Sequence, residues 1–313
     1  MLRMPLCLLV LLAPLSLACA VNAAEASPGK LYGQFIGSTP RGPEMSAALS
    51  IPASNDVECT WTLDLFEDEN HTPTRFALKC EYGKYDYQKP KSSQKREALT
   101  KEGKWKLGKS SKVPQLRTIE LDNGVSLCEI SKNVLHILSP KRELLVGDGG
   151  YSYSLNRADA AEKPGDWHLA VAKPDGPPYK IAPVSTGANV YGVFEGRTPY
   201  KGIADQLKHP WDEGNIKAKW RITLYQDEKT KAPSEYKVEG SLFKPEPRTG
   251  KWSLKNGEGD KWPRMILEAT ATQPELVLLV GDENVLFITD KKGEPLVGHA
   301  EFSYTMNRRK NEK

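Results

Sequence analysis

The chain has 313 residues, 39% of them hydrophobic and 27% charged, with 44 basic side chains against 40 acidic ones and a formal net charge of +4. So mild a balance gives no reason to expect a nucleic-acid partner. No stretch beyond the N-terminal region approaches the ~18–20 apolar residues of a membrane-spanning helix.

Residues Met1 to about Ala23 carry one early positive charge, Arg3, an apolar run from Leu6 to Leu17, and small residues at the end. That is the pattern of a secretory signal peptide over residues 1–23, outside the fold. Cutting after Ala23 or Ala26 would release a soluble periplasmic protein. Leu15-Ser16-Leu17-Ala18-Cys19 offers a second outcome: it is a bacterial lipoprotein box with its leucine one place too early, and lipidation of Cys19 would tether the chain to the outer membrane.

From Tyr32 onward the chain says almost everything twice. Tyr32-Gly33 to Thr39-Pro40 answers to Tyr191-Gly192 to Thr198-Pro199, and both copies continue with Trp61 to Glu69 against Trp220 to Glu228. Gly-Lys-Trp (Trp105, Trp252), Asn-Val-Leu (Asn133, Asn284) and a closing Asn-Arg (Arg157, Arg308) follow in the same order. A period of roughly 150 residues is too long for a solenoid unit of about 20–50, so each copy is a domain. The boundaries read as 30–157 and 190–308, joined by a linker over 158–189 rich in Ala, Pro, Gly and Lys.

Within each copy the signals are those of strands: short β-branched and aromatic runs broken by Gly, Pro, Asn and Asp, without a long helical period. The clearest hairpin runs from Cys59 to Leu65, turns around Asp68 to His71, and returns from Arg75 to Cys80. Folding it about that turn sets Leu63 opposite Phe76, Trp61 opposite Leu78 and Cys59 opposite Cys80, with one apolar face. In copy two Ile222 faces Tyr236 and Trp220 faces Val238, while Ala218 and Gly240 stand where the cysteines were. Joint loss of both thiols is what a cross-strand Cys59–Cys80 disulfide predicts, and export permits it; two unpaired core cysteines are the alternative. Cys128 is then left as a small buried apolar side chain.

Further strands are expected at Gly103–Leu107, Leu116–Leu121, Val125–Ile130, Val134–Leu138 and Tyr151–Leu155. Their counterparts are Gly250–Leu254, Met265–Ala269, Leu276–Val280, Val285–Thr289 and Glu301–Met306. About eight short antiparallel strands in about 120 residues close most readily into a barrel, which removes exposed edges. The fold class is therefore all-β, as two tandem antiparallel barrels.

Basic residues crowd the stretch between the first hairpin and the next strands: Lys84, Lys89, Lys91, Lys95 and Arg96, then Lys101 to Lys112. A solvated loop accounts for them, and so does contact with an anionic envelope surface. Copy two has no comparable run.

Copy two in particular resembles the N-terminal domain family of NlpE, an envelope lipoprotein linked to copper resistance. The likeness rests on Tyr191-Gly192, Gly196-x-x-Pro199, Gly202-Ile203, Trp220 to Tyr225, Gly250-x-Trp252 and Val285 to Pro295 before Tyr304-Thr305, with copy one a more diverged example. The resemblance implies a lipocalin-like barrel, an envelope location and a role in stress or surface sensing or copper homeostasis. The family's Cys-x-x-Cys is replaced here by Arg41-Gly42-Pro43-Glu44 and Tyr200-Lys201-Gly202-Ile203, so its metal ligands do not carry over by residue.

Other chemistry is sparse. The five histidines are scattered, only His209 has local helpers in Trp211-Asp212-Glu213, and no methionine-rich metal site remains once Met1 and Met4 leave with the signal. No nucleophile elbow, P-loop or dinucleotide turn appears. Asp68-Glu69 and Asp227-Glu228 fall at hairpin tips, where turn chemistry explains them. The expectation is a binding protein without catalysis, cofactor or metal. Its partner is an envelope protein or, if the barrels are hollow, a small apolar ligand lined by Trp61, Phe76, Trp105, Trp220, Tyr236 and Trp252.

Overall fold

The computed structural model describes residues 29–52, 54, 58–83, 96–110, 116–161, 187–210, 216–243, 246–257 and 262–309. The first copy forms β1 (Lys30–Pro40), β2 (Glu58–Glu67), β3 (Pro73–Tyr82), β4 (Glu97–Lys109), β5 (Arg117–Leu121), β6 (Ser126–Ser131), β7 (Val134–Ile137) and β8 (Ser154–Arg157). Each pairs antiparallel with the next, and β8 returns to β1 with Arg157 opposite Phe35, which closes the barrel. The second copy repeats this with β9 (Val190–Pro199), β10 (Lys217–Gln226), β11 (Pro233–Gly240), β12 (Arg248–Lys255), β13 (Arg264–Leu267), β14 (Leu276–Val280), β15 (Val285–Ile288) and β16 (Thr305–Arg308). Here Arg308 closes against Phe194. The protein is all-β: two closed eight-stranded antiparallel barrels.

Two short helices, which strand periodicity did not anticipate, follow the opening strands. α1 (Pro43–Leu49) has proline in its first turn, and α2 (Tyr200–Leu207) begins directly after Pro199. Each stops at a residue in the left-handed region, Ser50 and Lys208. Their apolar sides, Met45 and Leu49, and Tyr200, Ile203, Ala204 and Leu207, join the cores of the two barrels.

The first hairpin is shifted by two residues from the register expected from its sequence. Trp61 faces Cys80, Leu63 faces Leu78, Leu65 faces Phe76, and Cys59 faces Tyr82. The strands run on to Glu67 and Pro73, the Asp68 amide bonds the Thr72 carbonyl across the turn, and a bulge lies between Leu65 and Glu67. Copy two makes the same shift, with Ile222 facing Val238 and Leu224 facing Tyr236. Because side chains alternate with period two, an even slip leaves the apolar face unchanged and alters only which residues meet.

The barrels lie side by side about a pseudo-twofold axis. Ser152 meets Ser303 and Ser154 meets Thr305, each pair 151 residues apart and therefore equivalent positions of the two copies. His136 meets Phe287 edge-on at 5.4 Å, and Tyr151 stacks on Phe302 at 5.9 Å. The asparagine of each closing Asn-Arg crosses the axis: Asn156 accepts from the Gly298 amide at 2.8 Å, and Asn307 from the Gly147 amide at 2.7 Å. A surface that pairs with its own equivalent is isologous, the geometry of a twofold dimer, here within one chain. Around it Cys128, Ile130, Val134, Leu144, Leu279, Val285 and Phe287 form a third apolar cluster. That cluster explains why every residue of β7 and β15 is buried: Leu135, Ile137, Leu286 and Ile288 fill the barrels, and the alternate residues fill the seam.

Replacing Asn156 or Asn307 by Ala strands a glycine amide in the seam, for a cost of about 1–3 kcal/mol each. Urea unfolding is expected to show a lower midpoint for both variants, whereas wild-type midpoints would mean the crossing bonds contribute nothing.

Candidate functional site

The repeated residues of the sequence pack against one another in each barrel. Trp105 packs on Tyr32 with ring centroids 5.3 Å apart and donates its indole N–H to the Phe66 carbonyl at 2.7 Å. Arg157 lies over Tyr32 and Phe35 and donates to the Tyr32 carbonyl. Trp252, Tyr191, Phe194 and Arg308 repeat this, with Trp252 donating to the Tyr225 carbonyl. A Cβ on Gly33 or Gly192 would meet the arginine guanidinium at 2.6 or 2.5 Å, so a larger residue there displaces the arginine from its place over the rings.

The six aromatic residues considered as cavity lining all sit inside these cores, none more than 4% exposed. Trp61 donates to Thr39 Oγ1 at 2.9 Å, and the Tyr236 hydroxyl donates to the Glu268 carbonyl at 2.9 Å while accepting from Arg248. Copy two departs at one point. Trp220 Nε1 and Thr198 Oγ1, the counterparts of Trp61 and Thr39, are buried without a hydrogen-bond partner.

Cys59 and Cys80 are both buried free thiols. They sit on adjacent strands, offset diagonally rather than opposite, and are joined by a thiol hydrogen bond. That bond from Cys80 holds Cys59 below the ordinary thiol range despite burial, with Arg41 and Arg96 adding to the effect, and correspondingly pushes Cys80 up. In copy two Gly240 faces Trp220 at a positive φ, and a Cβ there would meet the Lys219 carbonyl at 2.2 Å. Cys128 lies in the seam cluster, its thiol pushed up to about 12 by burial, with Glu129 adding.

Of the basic stretch, Lys84, Lys89, Lys91 and Lys95 lie outside the described residues, as do Cys19 and the signal segment. Arg96 lies against the outer face of the β2–β3 wall: its guanidinium donates to Thr60 Oγ1 and to the Glu58 and Glu81 carbonyls, and its side chain is 7% exposed. It ties β2 to β3 and is covered rather than presented to a partner surface. The acidic pairs behave as turn residues, Asp68 accepting from the Asn70 and Thr72 amides and Asp227 from the Lys229 and Thr230 amides. His209 is half-buried and bonded to its neighbour's carbonyl, and Trp211, Asp212 and Glu213 lie outside the described residues. Among the described residues no group of His, Cys, Asp and Glu has metal-ligand geometry.

The densest polar chemistry is in the seam, which no linear motif marks. His136 Nε2 is 2.8 Å from the Leu145 carbonyl, which can only accept, so Nε2 carries the proton and Nδ1 accepts from Ser154 at 2.9 Å. Ser154 then accepts from Thr305, Thr305 from Ser303, and Ser303 from Ser152. One carbonyl thus sets the direction of a hydroxyl chain that crosses the axis twice. Beside it opens a cleft of about 820 Å³ walled by Gly42 to Glu44 at the start of α1, the 139–146 turn, Tyr153, and Asp282 to Asn284 of the other barrel. Comparison with protein-family models, with curated proteins and with solved structures returns no match.

Burial pushes His136 down from 6.5 to about 4. The unfolded chain takes up that proton first as pH falls, so stability is lost between about pH 6.5 and 4, by up to about 3 kcal/mol. His136→Gln keeps a donor and an acceptor but does not titrate there. Its midpoint-against-pH curve is expected to be flatter than the wild type's over that window, and parallel curves would contradict the assignment.

Proposed function

We propose that this is an exported, non-catalytic protein of the bacterial cell envelope, similar to the NlpE N-terminal domain family, that acts in stress or surface sensing by binding a protein partner on the outside of its paired barrels. The observation that carries this reading is the packing of the barrel interiors. Trp61, Trp105, Trp252 and Tyr236 have their polar tips bonded to protein atoms, and helices from the same chain add to both cores. Recognition then falls to outer surfaces, which include the seam cleft. The two copies differ around the thiol pair and on the outward face of their first two strands, where copy one has Ser38, Glu58 and Thr60 and copy two Arg197, Lys217 and Lys219, so they serve different roles rather than duplicate one. In an oxidising compartment the adjacent Cys59 and Cys80 form the disulfide.

A carrier reading is favoured by one observation, the unpartnered Trp220 Nε1 and Thr198 Oγ1 inside barrel two. An apolar fluorescent probe separates the two readings. No saturable binding to the full-length protein is expected. Stoichiometric binding would replace the surface-recognition reading by the carrier, and Trp220→Phe would then weaken it. Intact mass of envelope-purified protein, with and without alkylation, is expected to show Cys59 and Cys80 protected only before reduction; alkylation of both in unreduced, unfolded protein would exclude the disulfide.

A further inference from the structure

The outward face of β9 and β10 carries three cations together. Lys219 stands directly opposite Arg197, and Lys217 is next on the same face, since Ala218 between them and Trp220 after them point into the barrel. Like charges directly opposite on a sheet are destabilising. The neighbouring pair on this face is balanced: Arg221 Nε donates to Glu195 at 2.6 Å, and Arg309 approaches the same carboxylate at 3.3 Å. Glu195, held by two arginines, does not reach the next rung, and no carboxylate among the described residues forms an ion pair with Arg197, Lys217 or Lys219. Lys217 lies 5.5 Å from the Phe302 ring centre, and burial together with Lys219 and Arg197 pushes its ammonium down to about 8, against a weaker opposing pull from Glu58 of barrel one. Lys219 is lowered as well, by burial and by Arg197.

Copy one shows how such a face is balanced from within. Where copy two has Arg197, Lys217 and Lys219, copy one has Ser38, Glu58 and Thr60, and its own Arg96 binds Thr60 Oγ1 and lies 3.9 Å from the Glu58 carboxylate. In copy two Lys217 replaces the carboxylate and cations replace both hydroxyls, and no carboxylate of the described chain forms an ion pair with them. The patch abuts barrel one at the seam: a Cβ on Gly150 would come within 3.1 Å of the Arg197 guanidinium, so this glycine leaves room beside it. Asp148 in the same loop is engaged, its Oδ1 accepting from the Gly150 and Tyr151 amides at 2.7 Å.

We propose that Arg197, Lys217 and Lys219 form a binding site for a phosphate-type oxyanion at the edge of the seam. The planar guanidinium offers a two-pronged contact and the ammonium groups add compact charges, a donor set suited to a tetrahedral dianion. The phosphate is either free or carried on a lipid headgroup.

The test uses the full chain at constant ionic strength, with inorganic phosphate replacing chloride. The wild type's unfolding temperature is expected to rise saturably with phosphate, as for any ligand that binds only the folded state. The double variant R197S/K219T carries the copy-one residues and is expected to bind at least about tenfold more weakly, a change of about 1.4 kcal/mol. Lys217→Gln is a second, milder variant, expected to be more stable than wild type without phosphate and less responsive to it. Sedimentation with phosphatidic acid vesicles against phosphatidylcholine vesicles separates the sources. Phosphate-competed binding to the acidic vesicles, absent in R197S/K219T, assigns the site to a headgroup; phosphate binding without vesicle binding assigns it to the free anion. Absence of both in the wild type, or phosphate binding unchanged in both variants, overturns the proposal.

Discussion

In each barrel one stretch of wall is covered on both sides, and the rest of the molecule is arranged around that constraint. The inner residues of β7, β8, β15 and β16 fill the barrels, while their outer residues meet the same elements of the other copy. A strand wall buried on both faces keeps water from its polar groups, so a hydroxyl left unpaired there is costly. Ser152, Ser154, Ser303 and Thr305 avoid this by bonding across the axis. The penalty for an unpaired buried hydroxyl, about 1–3 kcal/mol, makes the chain of bonds a register lock as well as a contact.

The axis is only approximate, and its departures are chemically meaningful. A hydroxyl chain has a direction, which perfect twofold symmetry would forbid. The direction is set by His136 on one side, bonded to the Leu145 carbonyl, and permitted by Phe287 on the other, which makes no hydrogen bond of its own. Barrel one also keeps the thiol pair and the covered Arg96, whereas barrel two keeps an uncompensated row of cations. A duplicated domain that pairs with itself has thus specialised in both halves while retaining the shared contact surface.

The duplication, the strand-rich character and the inward aromatics were legible in the sequence because they follow from alternation and from turn residues repeated in order. The hairpin register was not: the bulge after Leu65 leaves no signature in the alternation, and an even slip preserves the apolar face. The helices escaped because seven and eight residues span barely two turns. The run from Lys84 to Lys112 is a cluster in the linear sequence, yet its Arg96 is covered against the outer wall of β2 and β3. The cations of copy two are separated in sequence and meet only through strand pairing. Two signals for the seam were present. Val134 to Ile137 and Val285 to Ile288 lack the polar alternation of a strand with one wet face, and the repeated Asn-Arg has no turn role to explain it.

The paired arrangement also bears on function. With interiors filled by their own side chains, the proposed recognition falls to the outer surfaces, and the seam sets which parts of the two barrels are available together. The cleft beside α1 and the cationic face of β9 and β10 both draw walls from the two copies.

The account depends most directly on Ser152 and Ser303 meeting at the axis, their hydroxyl oxygens 2.6 Å apart. Substituting both by cysteine, as Ser152→Cys with Ser303→Cys, and mapping the oxidised, folded protein by peptide mass spectrometry tests this. An intramolecular disulfide joining the two substituted positions in monomeric protein is the result the paired barrels require. Free thiols at both positions, alkylated in the native state, would contradict the pseudo-twofold seam.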